Sequence, residues 1–310
     1  MMIKERTMGK IIFFGGKGGV GKTSCSTAYA IAESNKGFKT LLVSTDPAHS
    51  ISDLFHETIG PNVKRLSDNL YGIEIDPERE SKAYIDKVRK DLKQIMSPII
   101  MEDLNKQLDA AIVSPGSHES ALFDKMIELI INETKEFDRI IFDTAPTGHT
   151  VRLLSLPELL GGWIESLMSK RKKTISLKNM IGRNRDEKDP ILEILSRRKE
   201  NLEKARHIMM DEERLEFAFV LNAERMPIEE TKKAVKLLRN YKINVSTLVV
   251  NKILPDNVQD EFWRQKKAKE GIYLEEIREE ISAPTIYEVP LFQEDMTENT
   301  IQEMAAFFGQ

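Results

Sequence analysis

Eight residues carry the densest chemistry in the chain: Gly16-Lys17-Gly18-Gly19-Val20-Gly21-Lys22-Thr23. They fit G-x-x-x-x-G-K-[ST] in full, after an apolar strand-like run and before a helix-like one. Glycines let backbone N–H groups surround phosphate oxygens, and a helix N-terminus adds favourable partial positive charge. Lys22 is expected to reach the β- and γ-phosphates, and the Thr23 hydroxyl to ligate Mg²⁺. Lys17 adds a second cation, either for the phosphates or as a solvent-facing loop lysine.

Two aspartates end apolar runs further along. Asp46 lies in Ser44-Thr45-Asp46-Pro47-Ala48-His49-Ser50. At the carboxyl end of a strand it can polarise an attacking water, or it can cap the helix that follows. Asp143 closes Ile140-Ile141-Phe142-Asp143, the pattern of a strand whose aspartate holds Mg²⁺ directly or through water. Gly148 gives the next loop freedom to move when a γ-phosphate leaves. His149 fits a switch or supporting role better than direct catalysis.

The elements that must position these residues alternate. Strands are expected at 10–15, 40–45, 70–75, 138–143, 216–222, 244–251 and 285–289, mostly as continuous apolar runs. Helices are expected at 22–35, 119–136, 228–240 and 297–308. This rhythm implies an α/β fold with a doubly wound, mostly parallel sheet of P-loop NTPase type. Residues 78–136 and 150–214 break it with helical pieces, including 157–170 and 190–213. The expected organisation is a single P-loop ATPase domain over 1–310, with a helical subdomain built from those two insertions. On the last helix Ile301, Met304, Ala305 and Phe308 share one face, as a core-packing helix requires.

Composition bounds the partners. The 310 residues carry 46 basic and 50 acidic side chains, a net charge of −4, which argues against a nucleic-acid binder. Cys25 is the only cysteine, so there is no intrachain disulfide and no one-chain thiolate cluster for zinc, iron–sulfur or arsenic. No apolar run approaches the ~18 residues of a membrane span, and the start lacks a secretory core. The expected location is cytoplasmic, with transient residence at a membrane surface. Lys170 to Arg185 holds seven basic residues and no acidic one. It reads as a solvated helix end and loop, or as a docking patch for an acidic partner or anionic lipid.

The strings GGKGGVGKTS, STDPAHS, DTAPTGHTVRLLSLP, LNAE and VVN, in that order from Lys10 to Met296, resemble the ArsA-type ATPases. That family contains arsenite-pump ATPases and targeting factors for tail-anchored membrane proteins. GKGGVGKT is similar to its deviant Walker A loop, in which the early lysine, here Lys17, reaches across a homodimer to the partner's nucleotide. The resemblance implies an Mg²⁺-dependent homodimeric ATPase that opens and closes with its ATP cycle. Asp46 would orient the hydrolytic water, Lys17 and Lys22 would neutralise developing charge, and Asp143 would begin the second switch. The implied nucleotide-binding set is Gly16, Lys17, Gly18, Gly19, Val20, Gly21, Lys22, Thr23 and Ser24, with Asn251 and Pro290 at the adenine and Glu224 at nucleotide or partner. From the residues alone, Asn251 is a polar residue at a strand end and Glu224 a solvated cap.

Many targeting members share a zinc between two chains through a C-x-x-C, which aligns here with Asp260 to Trp263. No cysteine stands there, so no zinc is expected and dimer stability must rest on other contacts or on ATP. Three roles follow. A targeting factor would seat a client's apolar transmembrane segment, or meet a membrane receptor, along Ile95–Met101 and Leu153–Ile164. Those runs could equally be ordinary helical core. An arsenite-pump subunit would need soft thiolate ligands, which one cysteine supplies poorly. A partitioning or division-site ATPase shares the loop but not DTAPTGHT or the long helical insertions, and the membrane-bound type is further disfavoured by the missing basic amphipathic tail.

Overall fold

Ile11 to Phe14 leave strand β1 (Lys10–Gly15) without a polar face, and all four are buried at the centre of a sheet. The computed structural model describes residues 9–45, 50–93, 101, 105, 109, 117–144, 164–166, 168–173, 175–176, 189–240, 243, 245–257 and 259–309. The other strands are β2 (Thr40–Ser44), β3 (Lys64–Ser67), β4 (Leu70–Glu74), β5 (Arg139–Asp143), β6 (Leu215–Leu221), β7 (Val245–Ile253) and β8 (Thr285–Pro290). Their order is β3-β4-β2-β5-β1-β6-β7-β8, parallel throughout except for β3 on β4. The fold is therefore α/β with a mostly parallel sheet of P-loop NTPase type.

Each strand expected from the sequence is present within two residues of its expected bounds. β3 is the addition. Its four residues alternate between half-buried and exposed and carry Lys64 and Arg65, so no apolar run announces it. A short, charged, irregular strand suits a sheet edge, where it discourages pairing with another chain. In the middle, register brings Phe13 opposite Phe142 and Phe217. Their rings stack at 4.7 and 6.2 Å, which ties β5, β1 and β6 together by more than area alone.

The chain divides into two compact units: Met1–Asp76 with Asn132–Arg152 and Met209–Gln310, and Pro77–Ile131 with Leu153–Ile208. The first holds the sheet with helices α1 (Lys22–Asn35) and α2 (Ser50–Phe55). The second contains α3 (Pro77–Lys93), most of α4 (Ser117–Glu133) and α5 (Pro190–Met209). Helices α6 (Arg225–Asn240), α7 (Glu261–Glu280) and α8 (Glu298–Ala305) complete the first. Thr297 caps α8 by accepting from the Thr300 N–H, and Ile301, Met304, Ala305 and Phe308 are all buried in the sheet unit's core.

In the second unit, Arg198 of α5 lies over the Tyr84 ring of α3 at 5.0 Å and donates to its hydroxyl at 2.8 Å. It also faces Asp124 of α4 at 3.9 Å. Buried Ile85, Phe123, Met126, Ile127, Leu202 and Ala205 supply this unit's apolar interior. Of the expected apolar surface, Met101 and Ile164 are described and buried; Ile95–Ile100 and Leu153–Trp163 lie outside the described residues. Arg171, from the basic stretch, is forked onto the Asp189 carboxylate at 2.8–3.3 Å, so its charge is answered within the chain.

Candidate active site

β1 lies between β5 and β6, and the chain departs from it toward β2 on one side before returning to build β6, β7 and β8 on the other. Parallel sheets bind ligands beyond the carboxyl ends of their strands at such a reversal. Gly16 to Gly21 sits at that end of β1. Asp143 ends β5, Glu224 follows β6, Asn251 is near the end of β7, and Pro290 ends β8. The pairing of Ile253 with Pro290 and the Leu291 N–H to Ile253 carbonyl bond of 2.8 Å bring the β7 and β8 ends together.

Glycine is required in the loop at two points of close approach. Gly16 has φ +153°, and a Cβ there would lie 2.2 Å from the Val220 carbonyl oxygen of β6. Gly21, left-handed at φ 94°, begins α1; a Cβ there would lie 2.3 Å from Asn251 Nδ2. Gly18 and Gly19 are the opposite case, with nothing within 4 Å of where a Cβ would stand. The loop is thus pressed onto β6 and β7 at its ends and open along its middle. The first turn of α1 carries no acidic side chain, so its positive end is not offset locally.

Lysines surround this opening. Lys22 Nζ donates to the Lys17 carbonyl at 3.2 Å, folding back over its own loop. Lys17 Nζ lies 3.2 Å from Glu230 Oε1 of α6. Lys252, left-handed at φ 63°, donates to the Gly19 carbonyl at 3.2 Å. Beside it, buried Asn251 donates from Nδ2 to the Val20 carbonyl at 2.9 Å. That bond fixes the amide's orientation. Its Oδ1 is buried with no hydrogen-bond partner among the described residues. Thr23 and Ser24 are half-buried in the first turn of α1, where Ser26 donates to the Thr23 carbonyl at 3.0 Å. Glu224 is exposed just before α6, and its carbonyl accepts from the Ile228 N–H at 3.2 Å.

On the other side of β1, Asp143 is buried. Its carbonyl accepts from the Thr45 N–H at 3.0 Å and the Thr45 hydroxyl at 3.2 Å, and the Thr144 hydroxyl donates to the Phe14 carbonyl at 2.7 Å. One backbone bond and two threonine hydroxyls thus tie together the ends of β2, β5 and β1. Asp46, with His49, Gly148 and His149, lies outside the described residues. Helix α2 begins just after Asp46's segment. The buried Glu74 carboxylate at the end of β4 receives the Ile51 and Ser52 N–H groups at 3.1 and 2.8 Å and the Ser52 hydroxyl at 2.6 Å. It serves as an N-terminal cap borrowed from another strand.

Cys25 is wholly buried in α1. Burial pushes its thiol well up, the Asp143 charge pushes it further, and Lys252 opposes both. Among the described residues, no group of three or more His, Cys, Asp or Glu could hold a metal ion.

Sequence reasoning missed Glu74, Glu230 and Lys252. Lys252 follows Asn251 in the chain, and no motif gave it a role. Glu230 and Glu74 sit in no motif, and their partners are 213 and 22 residues away.

An open glycine loop at the carboxyl end of the central strand of a mostly parallel sheet, backed by lysine and a buried strand-end aspartate, defines the class as a P-loop ATPase. A family model described as anion-transporting ATPase, the ArsA ATPases, matches residues 9–308. The chain belongs to that family and is an ATP hydrolase. It is 39% identical over 281 residues to a protein of Aquifex aeolicus named "Putative arsenical pump-driving ATPase 2", covering 89% of this chain and 92% of the relative. It is 34% identical to ATPase GET3B of Arabidopsis thaliana, covering 92% and 75% of the two chains. ATPase GET3A of the same plant is 32% identical, covering 93% and 80%.

Proposed function

We propose that this ArsA-family ATPase works as a homodimer in the cytoplasm and couples Mg²⁺-dependent ATP hydrolysis to opening and closing of the dimer, in order to target tail-anchored membrane proteins. The loop residues Gly16 to Ser24 cradle the phosphates. Lys22 turns from the Lys17 carbonyl to the β- and γ-phosphates, where its hydrogen bonds become charge-assisted. Lys17 engages the partner's nucleotide. Asn251 presents Oδ1 to the adenine amino group while its Nδ2 stays on Val20, and Pro290 packs beside the base. Glu224 faces the nucleotide or the partner chain.

The Thr23 hydroxyl and Asp143 carboxylate are hard oxygen donors, the type that Mg²⁺ prefers, and would hold it with the phosphates and water. When bound, the ion neutralises charge on the β- and γ-oxygens. Catalysis by the chain is then a matter of positioning and charge stabilisation, with Asp46 orienting the attacking water. An Asp46→Asn chain should retain ATP binding and lose most turnover, by at least ~100-fold if it acts as a general base. Normal steady-state turnover would reject that assignment.

The observation that carries the client reading is the condition of Cys25. A trivalent metalloid needs thiolate ligands, and this chain's one thiol is buried and held protonated. The second reading, the ATPase subunit of an arsenite pump, is favoured by the name of the Aquifex relative. Steady-state turnover measured with and without arsenite, antimonite and a tail-anchored segment separates them. The expected result is stimulation or inhibition by the segment and none by the metalloids. Metalloid stimulation that survives Cys25→Ser would mean a site without cysteine, and stimulation lost in that variant would make Cys25 the sensor; either result overturns the client reading.

A further inference from the structure

The main chain around Lys17 is held from both sides. Gly16 is pressed onto the Val220 carbonyl, and the Lys17 carbonyl accepts from Lys22 Nζ at 3.2 Å. What Lys17 can still choose is the direction of its side chain. That choice has been made: its ammonium lies 3.2 Å from Glu230 Oε1. The carboxylate belongs to a helix whose roll is set by buried Pro227, Ile228, Thr231, Ala234, Val235 and Leu238, so Glu230 is presented by a fixed element. The next acid, Glu229, faces elsewhere, 3.6 Å from Lys232, which is also paired with Glu276 and Glu280.

We propose that Glu230 is a positioning residue for Lys17, holding its ammonium on its own chain until nucleotide phosphate takes it. The proposal rests on the reading of Lys17 as a phosphate-engaging lysine. Two ammonium groups on one short loop repel, and without phosphate Glu230 draws one of them aside and leaves the loop's opening to Lys22. The side chains are 34% and 42% exposed, so the pair is screened by water. Exposed pairs bias an equilibrium by at most about fivefold. That is enough to set a resting position and too little to withstand a polyphosphate, whose charge is several times larger. Glu230 is thus an exchangeable counter-ion, and its carboxylate competes with ATP for Lys17.

The test uses the full chain and a non-hydrolysable ATP analogue with Mg²⁺. The dissociation constant and the nucleotide-driven self-association are measured for the wild type, Glu230→Gln, Glu230→Asp, Lys17→Ala and the Lys17→Ala/Glu230→Gln pair. Glu230→Gln should tighten analogue binding about two- to fivefold at low ionic strength, with the gain shrinking near 0.5 M salt as screening removes the competitor. Glu230→Asp should behave as wild type, and Glu230→Gln should have no effect once Lys17 is alanine. A merely structural glutamate would shift thermal stability and leave this coupling at zero.

Unchanged or weaker binding in Glu230→Gln, or an equal gain in the Lys17→Ala background, overturns the proposal. Turnover of Lys17→Ala keeps the two failures apart. Unaltered turnover in that variant removes the Lys17 reading itself. Lost turnover with a silent Glu230→Gln leaves Lys17 standing and removes Glu230 alone.

Discussion

At the residue scale the site is a set of hydrogen bonds that pay out twice. Asn251 satisfies the Val20 carbonyl, and that bond leaves Oδ1 as the buried end of the amide with no hydrogen-bond partner among the described residues. Gly21 is what lets the amide come so close, since a Cβ would stand 2.3 Å from it in a left-handed backbone. Gly21→Ala should therefore destabilise the chain by about 1–3 kcal/mol in urea unfolding and weaken nucleotide binding as well, because strain and a displaced Asn251 act together. Undiminished stability and nucleotide binding in that variant would mean that the close approach of Asn251 to Gly21 is not needed.

Cys25 makes a second prediction at this scale. Its thiol stays protonated in the folded chain beyond the ordinary value of 9.0. Above that pH the unfolded chain loses a proton that the folded chain keeps, so stability falls as pH rises. The contribution is fully present below pH 9.0. The unfolding free-energy difference between wild type and Cys25→Ser should be constant below that pH and change above it, in the direction that weakens the wild type. In the native state a thiol reagent should find no reactive group at pH 8. One equivalent should appear on unfolding.

At the element scale, helix α2 is short and its N-terminus is capped from β4. Glu74 collects two backbone N–H groups and one hydroxyl, and that hydroxyl in turn accepts from the Ile59 N–H at 3.0 Å. Helix entry, strand end and the following turn thus share one buried carboxylate. Glu74→Ala leaves these donors without the acceptor and should cost about 2–4 kcal/mol, read from the shift in denaturation midpoint. Glu74→Gln keeps one acceptor oxygen and should cost less. Equal losses would mean that packing, not acceptance, is what Glu74 supplies. α6 shows the same economy: one element places Glu230 near Lys17 and, through its first turn, is bonded to Glu224.

At the scale of the whole molecule, the proposed homodimer raises the question of what would hold two chains together. The family resemblance sets Asp260, Glu261, Phe262 and Trp263 at the place of a zinc-clamp C-x-x-C, and no cysteine stands there. Asp260 is occupied as the cap of α7, accepting from the Phe262 N–H at 2.9 Å. Phe262 is exposed and forms an edge-on pair with Trp263. Self-association seen by sedimentation should therefore respond to ATP analogue and be indifferent to added zinc or a zinc-selective chelator. A zinc-dependent dimer would show that other ligands replace the missing thiols. Among the described residues no helix is long and apolar enough to cross a membrane.

Motifs that fold on themselves were legible in the sequence. Gly16 to Thr23 encodes its chemistry within eight residues, because a loop and the helix start it opens are local structure. Continuous apolar runs such as KIIFFG and RIIFD announced buried parallel strands, because both faces of such strands must be apolar. β3 escaped because an edge strand needs no apolar face. Asn251 and Pro290 could be named through resemblance, but their adjacency comes from β7–β8 pairing. Strand order alone put Glu230 beside Lys17, Lys252 over Gly19 and Glu74 at the start of α2. Those contacts join residues far apart in the chain, and a carboxylate's partner is chosen by distance in space, which spacing along a sequence does not encode. The upward push on the Cys25 thiol has the same origin, in the burial and charge that packing placed around it.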